Sequence, residues 1–455
     1  MHNKSSTNID GFETASPSED AKKTVASKRF KVLVIAEAAN PELVSVPLIG
    51  WSIAKALRAI ADVHVVTQTR NRDAMLRAGW IEDKDFTAIN SESVARPLWR
   101  IGEVLSMGEG KGWTTKQAIG AISYAWFERL VWRRFGARIK AGEWDIVHRV
   151  TPLTPTQSSF IAPRCNSAGV PFVLGPLNGG VPWPAGFGAE RRREREFLSY
   201  IRGAYKILPG RAVTLSAAAA ILVGSRYTMS EIPKKHHDRT IYLPENAIDP
   251  DRFNARASPG TAGLPLKACF VGRMVPYKGP DMLIEAAAPL LRDGRMVLEM
   301  IGDGPMMEDL KTTVLRENVA SAVHFHGWLA HREVQDVMVG CDLLTFPSIR
   351  EFGGGVVLEA MALGVPPLVL DYAGPGELVT SDWGYKLPLG TRAEIVSKLR
   401  TALEKQVTDV TDLQRTGDAA HARVAAAFTW SAKAKQIEQV YEWVLDRSGP
   451  PPLLL

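Results

Sequence analysis

Apolar residues fall along this chain in two rhythms. The first is a set of short, continuous runs rich in Val, Ile and Leu, which mark strands buried on both faces, as in parallel sheets covered by helices. Phe30-Lys31-Val32-Leu33-Val34-Ile35 opens the series and Val63-His64-Val65-Val66-Thr67 continues it, with a helix expected from about Leu48 to Ile60 between them, a βαβ unit. Asp145-Ile146-Val147-His148, Val170 to Leu174, Ala218 to Val223, Lys267 to Val271, Val297 to Ile301, Val323 to His326, Asp342 to Phe346 and Val365 to Leu370 read the same way. The second rhythm is helical. Phe127, Leu130, Val131 and Phe135 form an apolar stripe within residues 119–140, with Arg129, Arg133, Arg138 and Lys140 largely off it, and Ile437, Val440, Tyr441 and Val444 form another near the end. The alternation predicts an α/β chain.

At 455 residues the chain exceeds the size at which one core keeps growing, so two domains are expected. Residues 1–28 are polar, rich in Ser, Thr and Asp and without periodicity, which predicts a disordered tail. A first domain over 29–255, a Gly-, Pro- and Ser-punctuated linker over 256–265 and a second domain over 266–427 follow. A final helical segment covers 428–447, and 448–455 is a tail. The loop Ala36 to Pro47 holds no glycine before Gly50, so a dinucleotide fingerprint is excluded there, and Gly302-Asp303-Gly304, with Met307 at the third glycine position, reads as a plain turn.

Composition narrows the partners. The longest apolar segment, Val213 to Gly224, falls short of the roughly 18 residues a membrane span requires, and the polar start does not resemble a signal peptide. Cys165, Cys269 and Cys341 are widely spaced in mostly apolar surroundings and read as reduced core residues of a cytoplasmic protein, with no metal ligation expected. A net charge of +6 and a pI near 9.1 suit anionic partners: nucleotide sugars, membrane surfaces or nucleic acid. With neither zinc spacing nor an RNA-binding aromatic signature, nucleic acid is not expected as a partner.

The chemistry concentrates in Pro347 to Leu363, PSIREFGGGVVLEAMAL. Three glycines feed a predicted helix, and a helix N-terminus presents unpaired N–H groups and a dipole that favours a phosphate. Glu351 precedes the turn and Glu359 lies inside the helix. Upstream, the strand ending at Val271 runs into Gly272-Arg273-Met274-Val275-Pro276-Tyr277-Lys278-Gly279, whose two cations suit the negative charge that develops as a diphosphate leaves.

Glu351-x7-Glu359 with Ala-Met-Ala after it resembles the donor-site motif of retaining glycosyltransferases of family 4, which have the GT-B fold. In that family an aromatic usually stands second after the first glutamate, whereas here Phe352 comes first and Gly353 second. Segment Tyr242 to Asp249 resembles the family's closure of the first domain, and the final helix resembles one that returns to that domain. The resemblance implies two Rossmann-like domains facing a cleft. It also implies retaining transfer of a hexose from a nucleoside diphosphate sugar to an acceptor hydroxyl, without a cofactor and without a metal, in glycan, polysaccharide or glycolipid synthesis. It assigns Arg273 and Lys278 to the diphosphate, Gly353, Gly354, Gly355 and Gly304 to the donor, and Glu359 to the ribose. Glu351 and His148 go to the sugar, Trp328 and Leu329 to the base, and Asn178, Gly179 and Gly180 to the acceptor side. A GT-B sugar-nucleotide epimerase and a catalytically silent sugar-nucleotide-binding partner are the rival readings. The basic run Arg191, Arg192, Arg193 and Arg195, with Trp183 and Phe187 upstream, reads as a solvated helix face; as an alternative it is a peripheral contact with an anionic inner membrane face, which a lipid-linked acceptor would suit.

Overall fold

The computed structural model describes residues 29–93, 97, 113–184, 186–188, 209–260 and 263–455. Two wholly parallel sheets organise these residues. In the first, strands β1 (Phe30–Ala36), β2 (Ala61–Gln68), β3 (Phe86–Ile89), β4 (Ile146–Thr151), β5 (Phe172–Leu177), β6 (Ala220–Val223) and β7 (Thr240–Tyr242) lie in the order β3-β2-β1-β4-β5-β6-β7. The second holds β8 (Leu266–Val271), β9 (Met296–Ile301), β10 (Val323–Gly327), β11 (Leu343–Phe346), β12 (Pro367–Leu370) and β13 (Tyr385–Leu387) in the order β10-β9-β8-β11-β12-β13. Each sheet reverses its winding once, at β1/β4 and at β8/β11. Loops leaving the carboxyl ends of strands diverge at such a point and open a crevice for a ligand.

The continuous apolar runs explain the layers. On one face of the first sheet Val32, Val34 and Ala36 meet the helix Val46–Leu57 through Trp51 and Ile53, while Leu33 and Ile35 meet the long helix Trp113–Lys140 on the other. That helix begins earlier than its periodicity predicts, and Phe127, Val131 and Phe135 are its buried stripe, with Leu130 half-buried. The helix expected from Leu48 to Ile60 is shifted toward the N-terminus. It starts at Val46 because Pro47 is compatible with a first turn, and Gly50 lets it approach the Ala38 carbonyl so closely that a Cβ would overlap it.

Two segments cross between the domains and pair with each other, Ile248 N donating to the Phe428 carbonyl at 2.7 Å and Trp430 N to the Ile248 carbonyl at 3.2 Å. The final helix, Trp430–Asp446, is capped by the Thr429 hydroxyl and sends Ile437, Val440, Tyr441 and Val444 into the core of the first domain. A chain that crosses twice keeps both domains on one hinge. Among the described residues no helix is long and apolar enough to cross a membrane.

Candidate active site

The β8/β11 switch point explains why two distant stretches meet. β8 and β11 are neighbours in register, Ala268 opposite Leu343 and Cys269 opposite Leu344, so the loops that leave their carboxyl ends lie side by side. Lys278, from the first loop, brings Nζ to 3.0 Å from Oε2 of Glu351 in the second, and both side chains are largely buried. Lys278 Nζ also lies 5.2 Å from the centre of the Phe346 ring. Arg273 is exposed at the mouth of the first loop. Gly304 sits behind it, where a Cβ would come within 2.5 Å of the Met274 carbonyl, so this turn supports the Arg273 loop by close backbone approach.

The glycine turn is built as its sequence suggests. Gly354 has φ +57°, the helix runs Gly355–Leu363, and Gly364 closes it with φ +79°. Gly353 has a second reason to be glycine: a side chain there would overlap the Asn246 amide of the first domain and approach Glu245 Oε1 to 2.8 Å. Gly374 lies so close to the Phe352 carbonyl that no Cβ fits. Residues 373–378 form a short helix, Ala373–Leu378, because the bare Gly374 lets it seat on this backbone, the Gly374 N–H donating to the Glu351 carbonyl at 3.2 Å.

Glu359 faces the interdomain cleft, a cavity of about 580 Å³ lined by Ser45, Leu48, Asn246, His331, Gly355 and Glu359 among others. Burial pushes its carboxyl up to about 7, against the attraction of Arg252. Its nearest cationic partner, His331 Nδ1, is 3.9 Å away, and burial holds that imidazole below its usual range. Trp328 stands 81% exposed after β10, with Leu329 half-buried beside it.

His148 does not stand where the strand pattern places it. β4 continues to Thr151, so His148 is an interior strand residue with no exposed surface. Its ring is held at both nitrogens, Nδ1 by the Tyr441 hydroxyl at 2.7 Å and Nε2 by the Gly175 carbonyl at 2.8 Å. Burial lowers its pKa to about 4, so the ring is a neutral fastener between the first sheet and the final helix rather than a group in the cleft.

Glu245 was not singled out by its sequence context. Asn178 Nδ2 donates to its Oε1, and Gly353 packs on the same oxygen, so one buried carboxylate joins the Asn178-Gly179-Gly180 loop to the glycine turn. Burial pushes Glu245 up to about 7, while the buried Lys433 of the final helix is pushed down to about 7, the two attracting each other. Gly179 N donates to Thr228 Oγ1 at 3.0 Å and Gly180 N to Asn178 Oδ1 at 3.3 Å, which fixes the loop. The available signal was a carboxylate inside a largely apolar crossing segment, Leu243-Pro244-Glu245-Asn246-Ala247-Ile248.

The segment after β5 also crosses the cleft. Phe187 is 2% exposed within the core of the second domain, and Trp183 packs edge-on to Tyr277 with the Arg350 guanidinium 5.1 Å from its ring. Arg350 Nε donates to the Val181 carbonyl at 3.1 Å, and Tyr372 donates to the Pro182 carbonyl at 2.9 Å. Both aromatics that the alternative reading turned toward a membrane are therefore spent on domain contacts, and Arg191, Arg192, Arg193 and Arg195 lie outside the described residues. A further link joins Arg226 N to both carboxylate oxygens of Glu377, at 3.0 and 2.9 Å.

Two parallel Rossmann-like sheets facing a cleft, joined by a double crossing, define the GT-B fold. HepE of Anabaena, solved with UDP and glucose, aligns over 91% of this chain and all of its own with a TM-score of 0.55 at 17% identity. The family model for glycosyl transferases group 1 matches residues 251–422, the part that carries Arg273, Lys278, Glu351 and Glu359. Among curated relatives, the 2-deoxystreptamine glucosyltransferase of Streptomyces kanamyceticus is 30% identical over 193 residues, 36% of this chain and 49% of the relative. The D-inositol 3-phosphate glycosyltransferase of Rhodococcus erythropolis is 31% identical over 228 residues, 48% of this chain and 50% of the relative. The chain thus spans about half the length of the curated relatives it matches.

Proposed function

We propose that this chain is a retaining glycosyltransferase that moves a hexose from a nucleoside diphosphate sugar to an acceptor hydroxyl. The observation that carries the reading is the meeting of Lys278 and Glu351 at the switch point, beside a helix N-terminus bared by Gly353, Gly354 and Gly355. Relatives whose names specify glycosyl transfer match part of the chain, and the UDP held by HepE makes uridine nucleotides the first donors to try.

In this mechanism Arg273 and Lys278 hold the diphosphate, Glu359 accepts from the ribose hydroxyls and Glu351 orients the sugar. The bond from the anomeric carbon to the phosphate oxygen breaks, its electron pair leaving on the diphosphate. The acceptor oxygen bonds to the same face of that carbon and its proton passes to the departing phosphate, so no separate general base is required. Two protein cations supply the charge a divalent ion would supply elsewhere, so turnover should survive EDTA. Asn178, Gly179 and Gly180 form the acceptor side of the cleft.

The experiment is mass spectrometry of products after incubation with a panel of UDP, GDP and ADP sugars and candidate glycan or lipid-linked acceptors, run beside thermal shift with the free nucleotides. A new glycoside of retained configuration supports the reading. Isomerised donor without an acceptor would mark an epimerase, and nucleotide binding without turnover a silent binding partner. Absence of any nucleotide-induced shift at millimolar concentration would remove the donor site.

A further inference from the structure

On the far side of the first sheet from the helix Val46–Leu57, the long helix Trp113–Lys140 turns one stripe into the core and another outward. The outward stripe reads Ile122, Trp126, Arg129, Arg133 and Lys140, at helical spacing. Ile122 is 55% exposed, and Arg129, Arg133 and Lys140 are exposed. Between this stripe and the helix Ile161–Ser167 lies an open cavity of about 560 Å³, walled by Arg129, Trp132, Arg133, Phe160 and Arg164.

Charge and aromatic surface are interleaved here by construction. Gly136 lets the Trp132 ring lie flat along the helix, since a Cβ would come within 2.8 Å of the indole. Arg164 and Lys140 then sit over that ring at 5.3 and 5.8 Å, and Arg129 lies 5.9 Å from the Trp126 ring. Among the described residues Arg129, Arg133 and Arg164 form no ion pair with an acid, unlike Arg138, which is tied to Glu143. The carboxylate at the cavity floor, Glu128, is already engaged. It accepts from the Tyr124 hydroxyl at 2.9 Å, from Ser159 Oγ, and from the N–H groups of Phe160 and Ile161 at 2.6 and 3.3 Å. The cavity walls carry three guanidinium groups against this one acid, which leaves the patch net cationic.

Phe160 is 49% exposed and stands immediately before the helix Ile161–Ser167. A cationic, aromatic-studded face matches the interface of a bilayer, where arginines meet lipid phosphates and aromatic rings seat among the headgroups. A nucleic-acid site would want a groove tracking a backbone with rings open for stacking. Here Trp132 is already covered by its own cations.

We propose that this face, centred on Arg129, Arg133, Arg164 and Phe160, docks the protein reversibly on an anionic lipid bilayer. The inference does not rest on the transfer reaction. Removing three cations near an anionic leaflet, at about fivefold each, should lower vesicle partitioning by roughly 100-fold.

The test is flotation of the full chain with vesicles of phosphatidylcholine containing 30% phosphatidylglycerol. The R129S/R133S/R164S triple variant is compared with wild type at low salt, with vesicles of phosphatidylcholine alone and with a single-stranded RNA oligonucleotide in parallel arms. Circular dichroism and nucleotide-induced thermal shift certify that the variant is folded and keeps its cleft. Flotation of wild type with anionic vesicles only, lost in the triple variant and in high salt, supports the proposal. Phe160→Ser should weaken flotation without abolishing it. Equal flotation of wild type and triple variant, or RNA binding with no vesicle binding, would overturn it, and neither result would bear on donor recognition.

Discussion

Glu359 offers a direct test of how the cleft is built, through Glu359→Gln. Burial raises its carboxyl from 4.5 to about 7 and only 18% of the side chain remains open to the cleft. The folded state therefore keeps a proton that the unfolded chain releases above pH 4.5, so stability is fully present below that pH and falls as pH rises to about 7, then levels off. That rise corresponds to about 3 kcal/mol once both forms are ionised, of which less than about 1 kcal/mol is already lost at pH 5. Glutamine carries no such titration. The gap in stability between the variant and wild type should thus widen in the variant's favour by about 2–3 kcal/mol from pH 5 to pH 8.5, an upper bound because cleft water relieves part of the penalty. For a domain of this size that is about 5–10 °C in Tm. Scanning calorimetry without nucleotide at the two pH values reads it. A gap that stays constant with pH, or narrows, would refute the burial argument. The same variant should bind nucleotide more weakly at pH 8.5 if Glu359 contacts the ribose, so stability and binding should move in opposite directions.

Further outcomes follow from other contacts. Tyr441→Phe leaves His148 Nδ1 without its partner in a closed interior and should cost about 1–3 kcal/mol in denaturant unfolding, while the nucleotide-induced thermal shift persists. Loss of that shift would return His148 to the site. Lys278→Met should weaken binding of a nucleoside diphosphate by about 10- to 100-fold in calorimetry, as loss of a charge-assisted contact implies, whereas Glu351→Gln should spare that binding and lower turnover. Equal effects of the two would show the ion pair to be merely structural. Gly374→Ala must displace the Phe352 carbonyl and with it the glycine turn, so it should both destabilise the second domain and abolish nucleotide binding; a variant with wild-type affinity would show that the turn tolerates movement.

The sequence by itself determined the layers, because uninterrupted runs such as Phe30 to Ile35 and Lys267 to Val271 have no stable place except between two helical layers. It also determined the glycine turn, since a chain with Gly353, Gly354 and Gly355 before an apolar helix has few other ways to turn. Lys278 and Glu351 stood out as charged residues on loops that follow strand ends, and the structure brings these two together. What only the tertiary structure decided depends on contacts between stretches far apart in the chain. His148 was read as facing the cleft because a strand end cannot be located from four residues, and its enclosure comes from Tyr441, 293 positions away. Trp183 and Phe187 looked like free aromatics beside a basic run, yet a second hydrophobic core competes for them and wins. Glu245 shows the limit most plainly. A single carboxylate in an apolar segment has no local signature, and it becomes the joint between Asn178 and Gly353 only because two domains close on it, where burial rather than sequence sets its charge.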